Sequence, residues 1–191
     1  MKQYIKALIF FSLLICFNNE AFSQEKGFYV GLGVQGVGWS LPEYDFDEDA
    51  GSGIAIRGGY HINKNFGVFM GIDASEIEPD EGENYSLGHF EIGAEGKIVL
   101  SNSKFKPYGR LSLVGLAVLQ DDPMGDVEIS GGGVGIGIGT YINMTEKLAF
   151  DIGFFNNSIT IDEISVGNTT LEVEEDANSS RFLIGIIYNF R

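Results

Sequence analysis

The sequence predicts an all-β fold, an eight-stranded antiparallel up-and-down transmembrane β-barrel, and three observations carry the prediction. Stretch after stretch alternates apolar residues with polar residues or glycine, the period of two that sends successive side chains to opposite faces of a strand. Short turns alternate with long loops along the chain, as in a meander whose loops all open on one side. The last stretch, 181–191, is itself such a strand, with Phe182, Ile184, Ile186, Tyr188 and Phe190 opposite Arg181, Leu183, Gly185, Ile187 and Asn189. An unpaired strand edge is a template for aggregation. Residues 27–39 have the same period, so pairing of the first and last strands closes the sheet.

The 191 residues suit one domain once a leader is discounted. Glycine, at 27 residues, is about twice its usual share of ~7%, and aromatic residues are abundant. After the first twenty residues no apolar run approaches the ~18 that a helical span needs. That excludes a helical membrane protein but not a barrel, whose strands show lipid only every second residue. Residues 1–23 read as a cleaved signal peptide: Lys2 and Lys6 precede the apolar run 7–17, and Ala21 and Ser23 supply small residues before Gln24. The apolar run is too short for a membrane anchor. Cys16 lies within it, and Ile15 is not the small residue that precedes a lipidated cysteine. Residues 24–191 form the barrel domain, without cysteine and therefore without disulfide, thiolate catalyst or thiolate metal site.

The first strand, 27–39, sets Phe28, Val30, Leu32 and Val34 against Tyr29, Gly31, Gly33 and Gln35. Loop 40–52 follows, then a second strand, 53–62, with Ile54, Ile56 and Tyr60 opposite Ala55, Arg57 and His61. Asn63-Lys-Asn65 turns the chain tightly. The third strand, 66–75, sets Phe66, Val68, Met70 and Ile72 against Gly67, Phe69, Gly71 and Asp73, and loop 76–85 leads to the fourth, 86–100. That strand has Phe90, Ile92, Ala94 and Ile98 opposite His89, Glu91, Glu95 and Lys97. After the turn 101–104, the fifth strand, 105–119, places Leu111, Leu113 and Leu119 opposite Tyr108, Arg110 and Ser112. Loop 120–128 precedes the sixth strand, 129–142, where Val134, Ile136 and Ile138 back onto Gly133, Gly135, Gly137 and Gly139. The turn 143–147 joins it to the seventh, 148–155, with Phe150, Ile152 and Phe154 opposite Ala149, Asp151 and Phe155. Loop 156–180 is the longest, and the closing strand completes eight.

A slip of one residue would move a whole face to the other side, so the turns test the assignment. Pairing residue 62 with 66, 100 with 105, and 142 with 148 keeps outward residues opposite outward ones, and the second of these places Glu95 opposite Arg110. Strands of about nine to eleven residues cross the apolar band when tilted. Aromatics stand near the ends of the apolar faces: Phe28, Tyr60, Phe66, Phe105, Tyr188 and Phe190 on the turn side, and Phe90, Phe154 and Phe182 on the loop side. Such paired girdles mark the two interfaces of a membrane.

On these strands, and on the terminal Ile186-Ile-Tyr188-Asn-Phe190, the chain resembles the small outer-membrane barrels of Gram-negative bacteria, of the OmpA transmembrane-domain and OmpX type, grouped as porin-family-like outer-membrane β-barrel domains. The resemblance covers 27–191. It implies location in the cell outer membrane, contact with lipid and lipopolysaccharide, and a C-terminal strand read by the insertion machinery, with Arg191 after Phe190 as a departure from the family's ending. A monomer is expected.

The formal charge is −15, and the acids concentrate in the four long loops, none of which contains lysine or arginine. Lys64, Lys104 and Lys147 stand in or beside the turns at the other end. An anionic crown repels phosphates and argues against nucleic acid as a partner. Loop separation and solubility explain the crown; divalent cations are the sharper alternative, since oxygen-rich clusters suit calcium or magnesium. Asp45-Phe-Asp47-Glu-Asp49-Ala-Gly51 alternates carboxylates, but its glycine is one place late for an EF-hand and Ile56 stands where the bidentate glutamate belongs.

Inward-facing Arg57, Lys97, Arg110 and Arg181 balance Asp73, Glu91, Glu95 and Asp151. An eight-stranded barrel is only wide enough for side chains to fill, and buried charges must pair. A salt-bridged interior centred on Glu95 and Arg110 is therefore expected, with the inward glycines leaving room for Arg57, Arg110 or water. His61 and His89 lie at opposite ends and cannot share a site; Ser86 has the wrong parity to join His89 and Glu91 in a nucleophilic set. No catalytic residue, cofactor site or metal site is assigned, and the glycines of 131–139 lack the helix that a phosphate-binding loop precedes. Segments 159–161, 164–166 and 171–173, broken at Gly167-Asn168, suggest a hairpin above the membrane whose edge would serve adhesion; a ten-stranded barrel is the alternative. The function expected is that of a structural or surface-interaction barrel, with a narrow porin-like channel and a lipid-modifying enzyme as the alternatives.

Overall fold

The computed structural model describes residues 26–41, 46–79, 84–99, 103–120, 127–167 and 169–190. The signal peptide expected at 1–23 lies outside them. The strands are β1 (Gly27–Leu41), β2 (Phe46–His61), β3 (Phe66–Glu78), β4 (Tyr85–Lys97), β5 (Phe105–Gln120), β6 (Val127–Asn143), β7 (Leu148–Val166) and β8 (Thr169–Asn189). They pair in sequence order, and β1 pairs antiparallel with β8 from Tyr29↔Asn189 to Ser40↔Asn178, closing the barrel. Closure satisfies every strand edge at membrane depth, where an unpaired backbone group would find no water.

The segregation of faces follows the period of two. Ile54, Leu113, Ile136 and Ile184 are 58, 65, 63 and 46% exposed, whereas Glu95 and Arg110 are 1 and 5% exposed. At the turn side exposed Phe28 meets half-buried Tyr60 at 4.8 Å, and exposed Tyr188 meets Phe190 at 5.0 Å, between ring centroids. On β8 the apolar outer face runs from Phe182 to Phe190, roughly 26 Å of strand at ~3.3 Å per residue, comparable with the ~25 Å band of such barrels.

Above that band the pattern inverts. The outward positions become Gly36, Ser52, Glu76, Ser86, Asn156 and Ser180, while the inward ones become Val37, Trp39, Leu41, Ile77, Leu87, Val114, Leu116, Val118, Ile159, Ile161 and Ala177, a buried apolar cluster. The barrel is thus inside-out in the membrane and has the ordinary polarity of a water-soluble protein beyond it. The charged interior expected from the sequence therefore does not continue into the loop-side third. There the outer wall meets water, so burying isoleucine and leucine inside is worth about 1.5–3 kcal/mol per side chain.

Residues expected as loops continue the strands. β2 begins at Phe46 and β7 and β8 extend to Val166 and Thr169, so most of 40–52 and 156–180 is ladder. The hairpin expected near Gly167 forms as the top of β7 and β8 with Gly167 at φ 59, a left-handed conformation that costs other residues about 1–2 kcal/mol. It adds no strands to the ring, and the ten-stranded alternative is excluded.

Two of the three registers are as expected, with His61↔Gly67 and Glu95↔Arg110. The third is not: Ile142 pairs with Phe150, not with Leu148. Thr145 supplies the reason. Its Oγ1 accepts from the N–H groups of Lys147 and Leu148, and Met144 N donates to Leu148 O, so the turn closes one residue farther along each strand. Asn63 plays the same part in the first turn, its Oδ1 accepting from Asn65 N and Phe66 N at 2.8 Å. A shift of two residues preserves the faces.

Candidate functional site

Among the described residues, chemistry-bearing side chains converge in the lumen, which is built in layers. In the central layer, cross-strand pairing of Glu95 with Arg110 brings Arg110 Nε to 2.7 Å from Glu95 Oε2. Tyr141 OH accepts from Arg110 Nη2 and donates to Glu95 Oε2, each at 2.6 Å. Arg57 reaches across to Asp151, which also accepts from Tyr108 OH at 2.7 Å and lies 3.8 Å from Arg110 Nη2. The Arg110 guanidinium is surrounded by rings, 4.2 Å from the Tyr108 centroid, 5.1 Å from Phe69 and 5.2 Å from Phe155. Rings of this kind hold a desolvated guanidinium through their negative faces.

The glycines of β6 make room for these rings. A Cβ on Gly139 would come within 2.4 Å of Tyr108, and one on Gly137 within 2.2 Å of Phe155. The space expected for Arg57, Arg110 or water is on β6 occupied by aromatic side chains, because the smooth wall lets a flat ring lie against it.

The next layer toward the loops joins Arg181 to both Asp73 and Glu91. His89 Nδ1 is 2.9 Å from Asp73 Oδ1 and its Nε2 is 3.0 Å from Ser179 Oγ, which accepts from Asn157 Nδ2 at 2.9 Å. This Asp–His–Ser order is that of a nucleophilic relay, and it uses Ser179, a residue absent from the sequence-based set. Ser179 is 1% exposed. It lies beneath the apolar cluster and above the ion pairs, and the arrangement ties β3, β4, β7 and β8 together across the lumen.

Seven of the eight charged residues expected in the interior meet in these two layers. Lys97 does not join them. It lies at the turn-side mouth, its Nζ 3.0 Å from His61 Nδ1, while His61 Nε2 is 3.1 Å from Asn189 Oδ1. What the sequence reading missed is the aromatic cage around Arg110 and the His89–Ser179 link; the inward parity of Phe69, Tyr108, Tyr141 and Phe155 was the only signal of the cage.

Two cavities inside the described lumen are small, about 30 Å³ beside Arg57, Asp73, Glu91, Asp151 and Arg181, and about 20 Å³ at the turn-side mouth. A water needs about 10–15 Å³ of such space. At the loop end, Tyr85 OH donates to Asp49 Oδ2 at 2.8 Å; burial first, and the carboxylate second, push the phenol above its ordinary value. Among the described residues no cluster of three or more His, Cys, Asp or Glu could hold a metal ion. The acids at 43, 45, 80, 81, 83, 121, 122 and 126, on which the divalent-cation alternative largely rests, lie outside the described residues.

Similar folds are found among solved structures. Neisserial surface protein A superposes with a TM-score of 0.71 at 19% identity, over 86% of this chain and 97% of that one. OprG from Pseudomonas aeruginosa gives 0.60 at 12%, over 90 and 100%. Ail, the attachment invasion locus protein of Yersinia pestis, gives 0.59 at 14%, over 87 and 100%. At these identities the likeness is one of fold. No curated protein sequence matches the chain. Residues 9–190 match the family described as Outer membrane protein beta-barrel domain. The closed eight-stranded ring, its lipid-facing belt and that match agree: the chain belongs to the outer membrane protein β-barrel family and resides in the outer membrane.

Proposed function

We propose that this protein is a non-conducting, non-enzymatic barrel that acts at the cell surface through the sheet it raises above the membrane. The observation that carries the reading is a lumen filled twice over, by ion pairs and aromatic rings at mid-depth and by packed apolar side chains above them. An ion crossing would have to break the Arg110–Glu95 pair, whose side chains are about 1% exposed, and pass the packed apolar layer. Single-channel recording on the purified protein in a planar bilayer tests this. No stable conductance is expected; a large steady ohmic current would overturn the plug and favour the narrow porin-like channel.

The surface role rests on the top of β8. Pairing with β1 ends at Ser40↔Asn178, whereas pairing with β7 continues to Val166↔Thr169, so among the described strands residues 169–177 pair on one side only, beyond the membrane. An edge of this length accepts an extended partner strand. Glu172, Glu174 and Asp176 are exposed on it, so the partner is a basic segment. The neighbour Ail has been crystallised with the heparin analogue sucrose octasulfate; the carboxylates here would repel such a polyanion, which separates the two surfaces chemically. Replacing Glu172, Glu174 and Asp176 together by lysine is expected to abolish capture of a lysine-rich strand-forming peptide, and unchanged capture would overturn the assignment.

The enzyme reading has the Asp73–His89–Ser179 relay in its favour. Its burial beneath the apolar cluster favours the structural role. Expression is therefore expected to leave the mass of lipid A unchanged, and a mass change abolished by His89→Ala would move the protein to the enzymes. Lipopolysaccharide contact, recognition of the C-terminal strand by the insertion machinery and a monomeric state accompany the proposal; the continuous β1–β8 seam, which leaves no edge at membrane depth, supports the last.

A further inference from the structure

We propose that the outer wall of β3, β4 and β5 binds the sugars of an outer-leaflet glycolipid just above the membrane, a reading that rests on the lipopolysaccharide contact proposed above and gives it a place. An open groove of about 680 Å³ lies there, with the outward side chains of Ala74, Glu76, Asn84, Ser86 and Leu119 in its described lining. Ser75 and Tyr85 complete that lining, their side chains turned inward to Gln35 and Asp49. Sites for small molecules typically measure ~300–1,000 Å³.

The ladder builds the groove. Glu76 faces Ser86 across β3 and β4, and Ser86 faces Leu119 across β4 and β5. Asn84 Nδ2 donates to Glu76 Oε1 at 3.1 Å, which holds carboxamide and carboxylate side by side. Two residues nearer the membrane on each strand stand Ala74, Gly88 and Ala117, again in register. None of these carries more than a methyl group, so the groove opens without a step toward Phe90, 46% exposed in the loop-side aromatic girdle.

Depth and charge select the ligand. Ser86 is four residues beyond Phe90 on β4, roughly 13 Å along the strand at ~3.3 Å per residue and about 9–11 Å along the membrane normal at a tilt of ~35–45°. The headgroup layer is about 5–8 Å deep on each side, so the groove stands beyond the lipid phosphates, where the sugars of a glycolipid begin. No lysine or arginine occurs in the flanking segments 76–85 and 120–128, and the Glu76 carboxylate repels a phosphate. It accepts charge-assisted hydrogen bonds from sugar hydroxyls instead. Asn84 and Ser86 both donate and accept, and Leu119, 53% exposed, offers an apolar surface to the C–H face of a sugar ring.

The test uses the full mature chain in nanodiscs. Native mass spectrometry counts retention of two probes, rough lipopolysaccharide with its core sugars and lipid A, which lacks them. Wild type and Asn156→Ala, on the outer wall of β7, are expected to retain the core-bearing probe at least fivefold better than lipid A. Glu76→Gln removes the charged acceptor and Gly88→Leu raises a step between groove and leaflet; both should lower that retention to the level of lipid A. A Cβ at Gly88 would come no nearer than 3.4 Å to the neighbouring strands, at Asp73 O, so the barrel should close, as heat-modifiable migration checks. Equal retention of the two probes by wild type removes the groove and leaves the lipid contact, whereas retention of neither removes the contact as well. Core-bearing retention left unchanged or strengthened by Glu76→Gln overturns the proposal, the second outcome marking a phosphate ligand. Should Gly88→Leu fail to fold, Glu76→Gln, at an exposed position, decides alone.

Discussion

Replacing Arg110 by methionine removes the cation that faces two buried carboxylates while keeping an apolar stem of similar reach. Its Nε is 2.7 Å from Glu95 and its Nη2 3.8 Å from Asp151, with all three side chains about 1% exposed. Removing one partner of a buried pair costs about 3–5 kcal/mol, because the other charge stays buried without compensation. Loss of the contacts with Tyr108, Phe69 and Phe155 adds about 0.5–2 kcal/mol. Arg110→Met is therefore expected to lose about 3.5–7 kcal/mol. In Glu95→Gln/Arg110→Met the amide needs no counter-charge, and about 1–3 kcal/mol should return. Recovery stays incomplete because Asp151 keeps Arg57 and Tyr108 but not Arg110. Urea unfolding in lipid vesicles, read from the single tryptophan, Trp39, measures all four members of the cycle. A loss below about 1 kcal/mol for Arg110→Met, or a double variant equal to the sum of the singles, would refute the reasoning.

Three other sets of variants probe separate features. Gly139→Val should prevent formation of the heat-modifiable barrel, since even its Cβ would lie 2.4 Å from the Tyr108 ring, whereas Gly38→Ala, with nothing within 4 Å, should fold normally on the same gel. Cysteines at Ile142 and Phe150 are expected to cross-link on oxidation because the two are directly opposed. Cysteines at Ile142 and Leu148 should stay reduced, and the reverse outcome would restore the shorter turn. Ile161→Ala, at a fully buried position of the upper cluster, should cost about 2–5 kcal/mol. The loss falls on the part outside the membrane, so limited proteolysis should cut near 155–180 and leave the membrane-embedded barrel intact.

Much of the barrel is legible in the sequence because lipid outside and ions inside impose opposite demands on successive residues. Residues 181–190 alone show both faces, and the spacing across the turn 101–104 suffices to place Glu95 opposite Arg110. Harder to read are the segments that leave the membrane. After Val34 the apolar residues of β1 move to odd positions, Val37, Trp39 and Leu41, because the outer wall now meets water. In β7 a bulge between Ile161 and Glu163 shifts the register, so Ile159 and Ile161 point inward at odd positions while the next partly buried residue, Ile164, is even. No single period spans 158–166, and the stretch reads as a loop. The third turn is misread because Asn143 looks like a turn residue, whereas the hydroxyl of Thr145 makes the bonds that close it. The His89–Ser179 contact joins residues ninety apart; it follows from the diameter of a closed ring and has no local signature.

The claim that underlies all of these is the reversal of polarity at the outer rim, and quenching by brominated lipid tests it most directly. Trp39 is 4% exposed and packs in the upper cluster, so neither bromolipid nor aqueous acrylamide should quench it. Leu113→Trp in a Trp39→Phe background, at a site 65% exposed on the lipid belt, should be quenched strongly by bromolipid and scarcely by acrylamide. A bromolipid-quenched Trp39 together with a protected tryptophan at position 113 would contradict the account.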